Sequence, residues 1–81
     1  MNQTKHLVTL VETRRGREIC ETTPRYDIYV NGVNTLGQLC WNMTGYVGVV
    51  PLSDGTRFAL PESSITAWRK LVRQINRGAL A

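Results

Sequence analysis

Histidine and phenylalanine occur once each in this chain, cysteine twice and proline three times. A lone His6 cannot build a histidine-based metal site, and Cys20 and Cys40 follow no zinc-ligand spacing. His6 therefore reads as a surface residue near the terminus. Neither cysteine falls at the start of a helical segment, where the dipole would favour a thiolate. Gly45, Gly48 and Gly55 keep neither phosphate-loop nor dinucleotide spacing, and the carboxylates lie scattered, one to each turn or strand end. No catalytic constellation results: the expectation is a protein that is not an enzyme, with no cofactor and no metal. No apolar run approaches the roughly 18 residues of a membrane span, and the first residues, Met-Asn-Gln-Thr-Lys-His, carry no signal-peptide core. No membrane association is expected, and a cytoplasmic location is. There the cysteines are reduced, small hydrophobes in or beside apolar strands, and the sequons at Asn2 and Asn42 have no role.

Acidic residues are the most telling shortage. Beyond Gly55 only Glu62 is acidic, while the whole chain has 10 Lys and Arg against 6 Asp and Glu, a net charge of +4. Eight of the ten cations are arginine. Its planar fork of donors suits phosphate and carboxylate, so an anionic partner is expected. With 81 residues and 42% hydrophobic content, residues 1–81 form a single domain with a small core. No repeat, linker or low-complexity segment interrupts it.

In order along the chain, residues 5–13 read as a strand rich in β-branched and aliphatic residues. Arg14, Arg15 and Arg17 around Gly16 form a flexible tip, and 17–23 reads as the returning strand of a first hairpin, stopped by Pro24. Tyr26, Ile28 and Val30 then alternate with Asp27, Tyr29 and Asn31, the period of a strand with one buried face. Tyr29 falls out of phase with the apolar set, which makes it a candidate exposed aromatic. Asn31-Gly32 offers a type I′ turn, with a later turn as the alternative. Further strands are expected over about 35–42, 46–52 and 56–60, with Gly48 a bulge or close-approach point and Ser53-Asp54-Gly55 a hairpin turn. Trp41 reads as core, near Trp68.

Residues 61–78 read as a helix. Ser63 or Ser64 caps it, Pro61 opens it, Glu62 sits at its positive end and Gly78 closes it. Ile65, Trp68, Leu71, Val72 and Ile75 make its apolar stripe. The opposite face carries Arg69, Lys70, Arg73 and Arg77. The fold expected is thus α+β: an antiparallel meander of four to six short strands, with one C-terminal amphipathic helix packed on one sheet face. Residues 79–81 are expected to fray.

The run Phe58-Ala-Leu-Pro61-Glu62-Ser63, with Trp68 and Val72-Arg73-Gln74, resembles the end of the bacterial cell-division activator family. That resemblance implies a small antiparallel sheet, a proline-started helix, and binding to duplex DNA and RNA polymerase. The Pro-to-Trp spacing differs by one residue and the long basic N-terminal tail of that family is missing, so no binding residues carry over.

Two functions fit these residues. In the first, Arg69, Lys70, Arg73 and Arg77, with Arg14, Arg15 and Arg17, neutralise the phosphates of nucleic acid without reading sequence. In the second, the same cations dock on an acidic protein partner, as in a small inhibitor or adaptor of the phage or mobile-element kind. A free sheet edge would also allow a homodimer.

Overall fold

Asn31 and Gly32 hold φ of 53° and 80°, and Val30 pairs directly with Val33, so the chain reverses at once through a two-residue turn. The computed structural model describes residues 6–78. Its elements are β1 (Val8–Thr13), β2 (Arg25–Val30), β3 (Val33–Trp41), β4 (Tyr46–Val47), β5 (Val50–Pro51), β6 (Arg57–Phe58) and α1 (Ile65–Arg77). The first four strands form one antiparallel sheet in sequence order, and β5 pairs with β6 in a second, two-stranded one. This is the α+β meander with a C-terminal helix that the periodicities imply. The readings at Asn2, at the start of the first strand and at residues 79–81 lie outside the described residues. Among the described residues, no helix is long and apolar enough to cross a membrane.

One face of the sheet meets the helix. Val8 of β1, Tyr26, Ile28 and Val30 of β2, Leu39 of β3 and Tyr46 of β4 close on Trp68, Leu71, Val72 and Ile75 of α1, joined by Val50 and Leu52. Trp68 is wholly buried, and its indole N–H donates to the Tyr46 carbonyl at 3.0 Å, so its polar edge carries no desolvation penalty. Ser64 caps α1 by accepting from the Ala67 amide, and Gly78, at φ 76°, ends it with its N–H turned back onto the last carbonyls.

Several local expectations are corrected. Residues 17–23 form no strand: Arg17 and Glu21 donate their amides to the carbonyls of Arg14 and Glu18, which spends the backbone on turns. Ile19, the segment's one large aliphatic side chain, is fully exposed, so nothing rewards pairing there. β1 pairs instead with β2, Val8 opposite Val30 through Thr13 opposite Arg25. Cys20 consequently lies exposed in the connection, while Cys40 is half-buried in β3.

The strand expected over 46–52 is broken into β4 and β5. A Cβ on Gly48 would lie 2.7 Å from the Gln38 carbonyl oxygen, so the close approach foreseen for this glycine occurs, and it interrupts the ladder. Pro61 precedes α1 without opening it. Ser63 forms an extended bridge to Tyr46, and Glu62 accepts from the Thr44 hydroxyl in place of serving the helix dipole. Trp41 is 42% exposed and stands edge-on to Tyr46 at the sheet periphery, away from the packing expected of it. His6 is no surface residue: its ring is largely covered and faces Asp54 at 3.6 Å.

Candidate functional site

Capping fixes the phase of α1, and the phase fixes the site. With Trp68, Leu71, Val72 and Ile75 turned inward, Arg69, Lys70, Arg73 and Arg77 are all exposed. Asn76 meets Val8, whereas the Arg69 guanidinium lies 5.8 Å from the ring centroid of Tyr26, which pairs with Glu12. The helix therefore runs antiparallel to β1. The cation–π contact holds Arg69 toward that strand, which is an outer strand of the sheet.

Arg69 and Arg73, with Val72, line a groove against Val8, Thr9 and Leu10. At the other end of the same strand, Arg14 and Arg17 line a depression with Glu12, Thr13 and Pro24. The two basic groups singled out in the sequence thus border one edge strand. Among the described residues, the ion pairs are Arg15 with Asp27 and Arg25 with Glu21, and His6 lies 3.6 Å from Asp54. Arg14, Arg17, Arg69, Lys70, Arg73 and Arg77 are in none of them.

Arg15 has a different role from its neighbours. Its Nε and Nη2 donate to Asp27 Oδ1 at 3.1 and 2.6 Å, and Gln38 donates to the same oxygen at 3.0 Å and to the Arg15 carbonyl at 2.8 Å. Asp27 is buried, and the Arg15 hydrogen bonds, followed by that from Gln38, hold its carboxyl below the usual carboxylate range against the opposing effect of burial. The tip between β1 and β2 is thereby pinned to the sheet face away from α1, and only Arg14 and Arg17 are left to meet a partner. Tyr29 lies on that same face, half-buried between its register partners Thr9 and Asn34.

Asn76 is the functional-site residue that sequence reasoning missed. Its side-chain oxygen accepts the Val8 N–H at 2.7 Å and its amide donates to the Val8 carbonyl at 3.0 Å, closing one end of the β1 edge. The available signal was a poor helix former in the last turn, beside the apolar stripe. Among the described residues, no group of three or more His, Cys, Asp and Glu is placed to hold a metal. No protein family, curated protein or solved structure matches this chain.

Proposed function

We propose that this chain is a non-catalytic accessory protein that binds nucleic acid, neutralising phosphates with Arg69, Lys70, Arg73 and Arg77 and, along the same strand, Arg14 and Arg17. The observation that carries this reading is that Arg69, Arg73, Arg14 and Arg17 border β1 and that these four, with Lys70 and Arg77, are in no ion pair among the described residues. Among the described residues Arg15 and Arg25 are matched to carboxylates, and apart from Arg57 of β6 the cations in no ion pair are those of α1 and of the β1–β2 tip. Phosphate contacts of this kind give affinity without base readout. Binding to mixed DNA and RNA fragments tests it. With each of the four helix cations on one phosphate, log K falls against log salt with a slope of about −3.6, which Arg14 and Arg17 steepen to about −5.4 with one contact each, and Arg69→Glu/Arg73→Glu abolishes binding. No binding at low salt sinks the proposal.

The second reading, docking on an acidic protein in the manner of a phage or mobile-element inhibitor or adaptor, is favoured by a separate observation. The cations flank a strand edge whose main chain is open beyond Val8. A pull-down with the double variant as control tests it.

A further inference from the structure

In an antiparallel ladder, residues alternate between pairs that exchange hydrogen bonds and pairs that do not. The Asn31 N–H donates to the Leu7 carbonyl at 2.8 Å, which turns the odd-numbered residues of β1 toward β2. Val8 faces the other way and is taken by Asn76. Two and four residues on, Leu10 and Glu12 must also point their N–H and C=O groups outward, and among the described residues nothing receives them. The edge is closed at Val8 and open from Leu10 onward.

What lies beside the open stretch selects its occupant. Arg69 and Arg73 are one helical turn apart, about 6 Å along the axis, and α1 runs antiparallel to β1. In an extended chain, side chains on one face recur about every 6.8 Å. An added strand would therefore present alternate side chains to successive arginines, and carboxylates there would meet both. Glu12 is the single carboxylate on this edge and disfavours an acidic residue directly beside it, whereas Arg69 and Arg73, which line the groove along Val8, Thr9 and Leu10, favour one. A second copy of this chain is a poor occupant, since its own β1 brings another pair of arginines.

We propose that the β1 edge, from Leu10 to Glu12, binds an extended acidic segment of a partner protein by strand addition, with Arg69 and Arg73 pairing its alternate carboxylates. This goes beyond the phosphate reading and draws on the same two arginines, so the segment competes with nucleic acid and releases it. Main-chain hydrogen bonds supply affinity and the alternating charges supply selectivity.

The test uses the full chain and a capped synthetic peptide alternating valine with glutamate over about eight residues, with a valine–lysine peptide as control. Amide exchange is read residue by residue. The expected result is that Leu10 and Glu12 exchange fast in the free protein and become protected with the glutamate peptide alone, while Thr9 and Val11 stay slow throughout. Glu12→Pro removes one outward N–H without touching the β1–β2 ladder and weakens peptide binding ~10-fold or more, whereas Glu12→Ala keeps it. Thr9 and Val11 amides that stay slow in Glu12→Pro show that it folds. Peptide binding without protection at Leu10 and Glu12, or no peptide binding at all, overturns the inference. So does protection that appears in concentrated protein alone, which would make a second copy the occupant. Nucleic-acid binding that persists in Glu12→Pro, or that is absent while the peptide still binds, separates the fate of this inference from that of the phosphate reading.

Discussion

Asn76, in the last turn of α1, substitutes for a missing strand at Val8, accepting its N–H at 2.7 Å and donating to its carbonyl at 3.0 Å. A side-chain amide has the same donor and acceptor as a peptide group, so it can cap one residue of an edge and no more. The first prediction follows from that limit. Asn76→Leu loses both bonds and leaves two main-chain groups beside a nearly buried Val8, at a cost of about 1–3 kcal/mol. The open edge also lengthens by one residue, Val8. Urea unfolding should register the first effect, and sedimentation at rising concentration should register the second as increased self-association.

The Arg15–Asp27 brace should set much of the acid limit of stability. Asp27's carboxyl is held low by the Arg15 hydrogen bonds first and by Gln38 next. A group depressed in the folded state stabilises above its unfolded value, near 4, and that contribution fades as pH falls through the lower folded value. Glu21, Asp54 and Glu62 are also held low, chiefly by Arg25, by the Thr56 amide and by Thr44, and add in the same direction. Stability should thus be level near neutrality and drop below about pH 4. Arg15→Ala leaves Asp27 buried without its cation, so the variant is less stable at pH 7. At pH 3, below the unfolded carboxylate value, the gap to the parent protein narrows, because the unfolded chain then binds the proton that Arg15 keeps off the folded Asp27. Denaturant midpoints of the two proteins at both pH values check this, and a gap that widens on acidification would contradict it.

Trp68 offers a third expectation. It is wholly buried between sheet and helix and holds the Tyr46 carbonyl at 3.0 Å. Trp68→Ala should cost about 3–5 kcal/mol and, in a domain this small, approach complete unfolding. Trp68→Phe keeps much of the apolar volume and loses the hydrogen bond. The Tyr46 carbonyl still accepts the Ser63 amide at 3.3 Å, so the loss should stay near 1–2 kcal/mol. Thermal unfolding monitored by circular dichroism separates the two.

Helix phase and the Gly78 cap were legible because each rests on a few adjacent residues with a single physical role, whereas the Asn31-Gly32 turn and the Ser64 cap were each one of two alternatives that adjacent residues left open. The 17–23 segment was not legible. Its β-compatible composition says nothing of whether a partner strand stands opposite, and β2, with Tyr26, Ile28 and Val30 on one face, competes better for β1. The arginines were likewise legible as a class but not as individuals. Arg14, Arg15 and Arg17 look equivalent in sequence, and only the distant Asp27 and Gln38 mark Arg15 as structural. The open stretch of β1 could not be read at all. Strand order and the reach of Asn76 decide which main-chain groups remain without a partner, and both are properties of the assembled sheet.

That difference among neighbouring arginines leads to the last prediction. If the phosphate-binding surface extends along β1, Arg14→Ser/Arg17→Ser removes two contacts and makes the slope of log K against log salt shallower by about 1.8, with little change in stability. Arg15→Ser should do the reverse, lowering stability while leaving the slope alone, because its guanidinium is already engaged by Asp27 at 2.6 Å. Filter binding over a salt series, run beside urea unfolding for each protein, gives both readouts. A slope that falls equally in the two variants would mean that Arg15 leaves Asp27 to meet phosphate, and the brace would then be a switch. A slope unmoved by Arg14→Ser/Arg17→Ser would confine the surface to α1, where Lys70 and Arg77 must then carry the contacts that Arg69 and Arg73 do not.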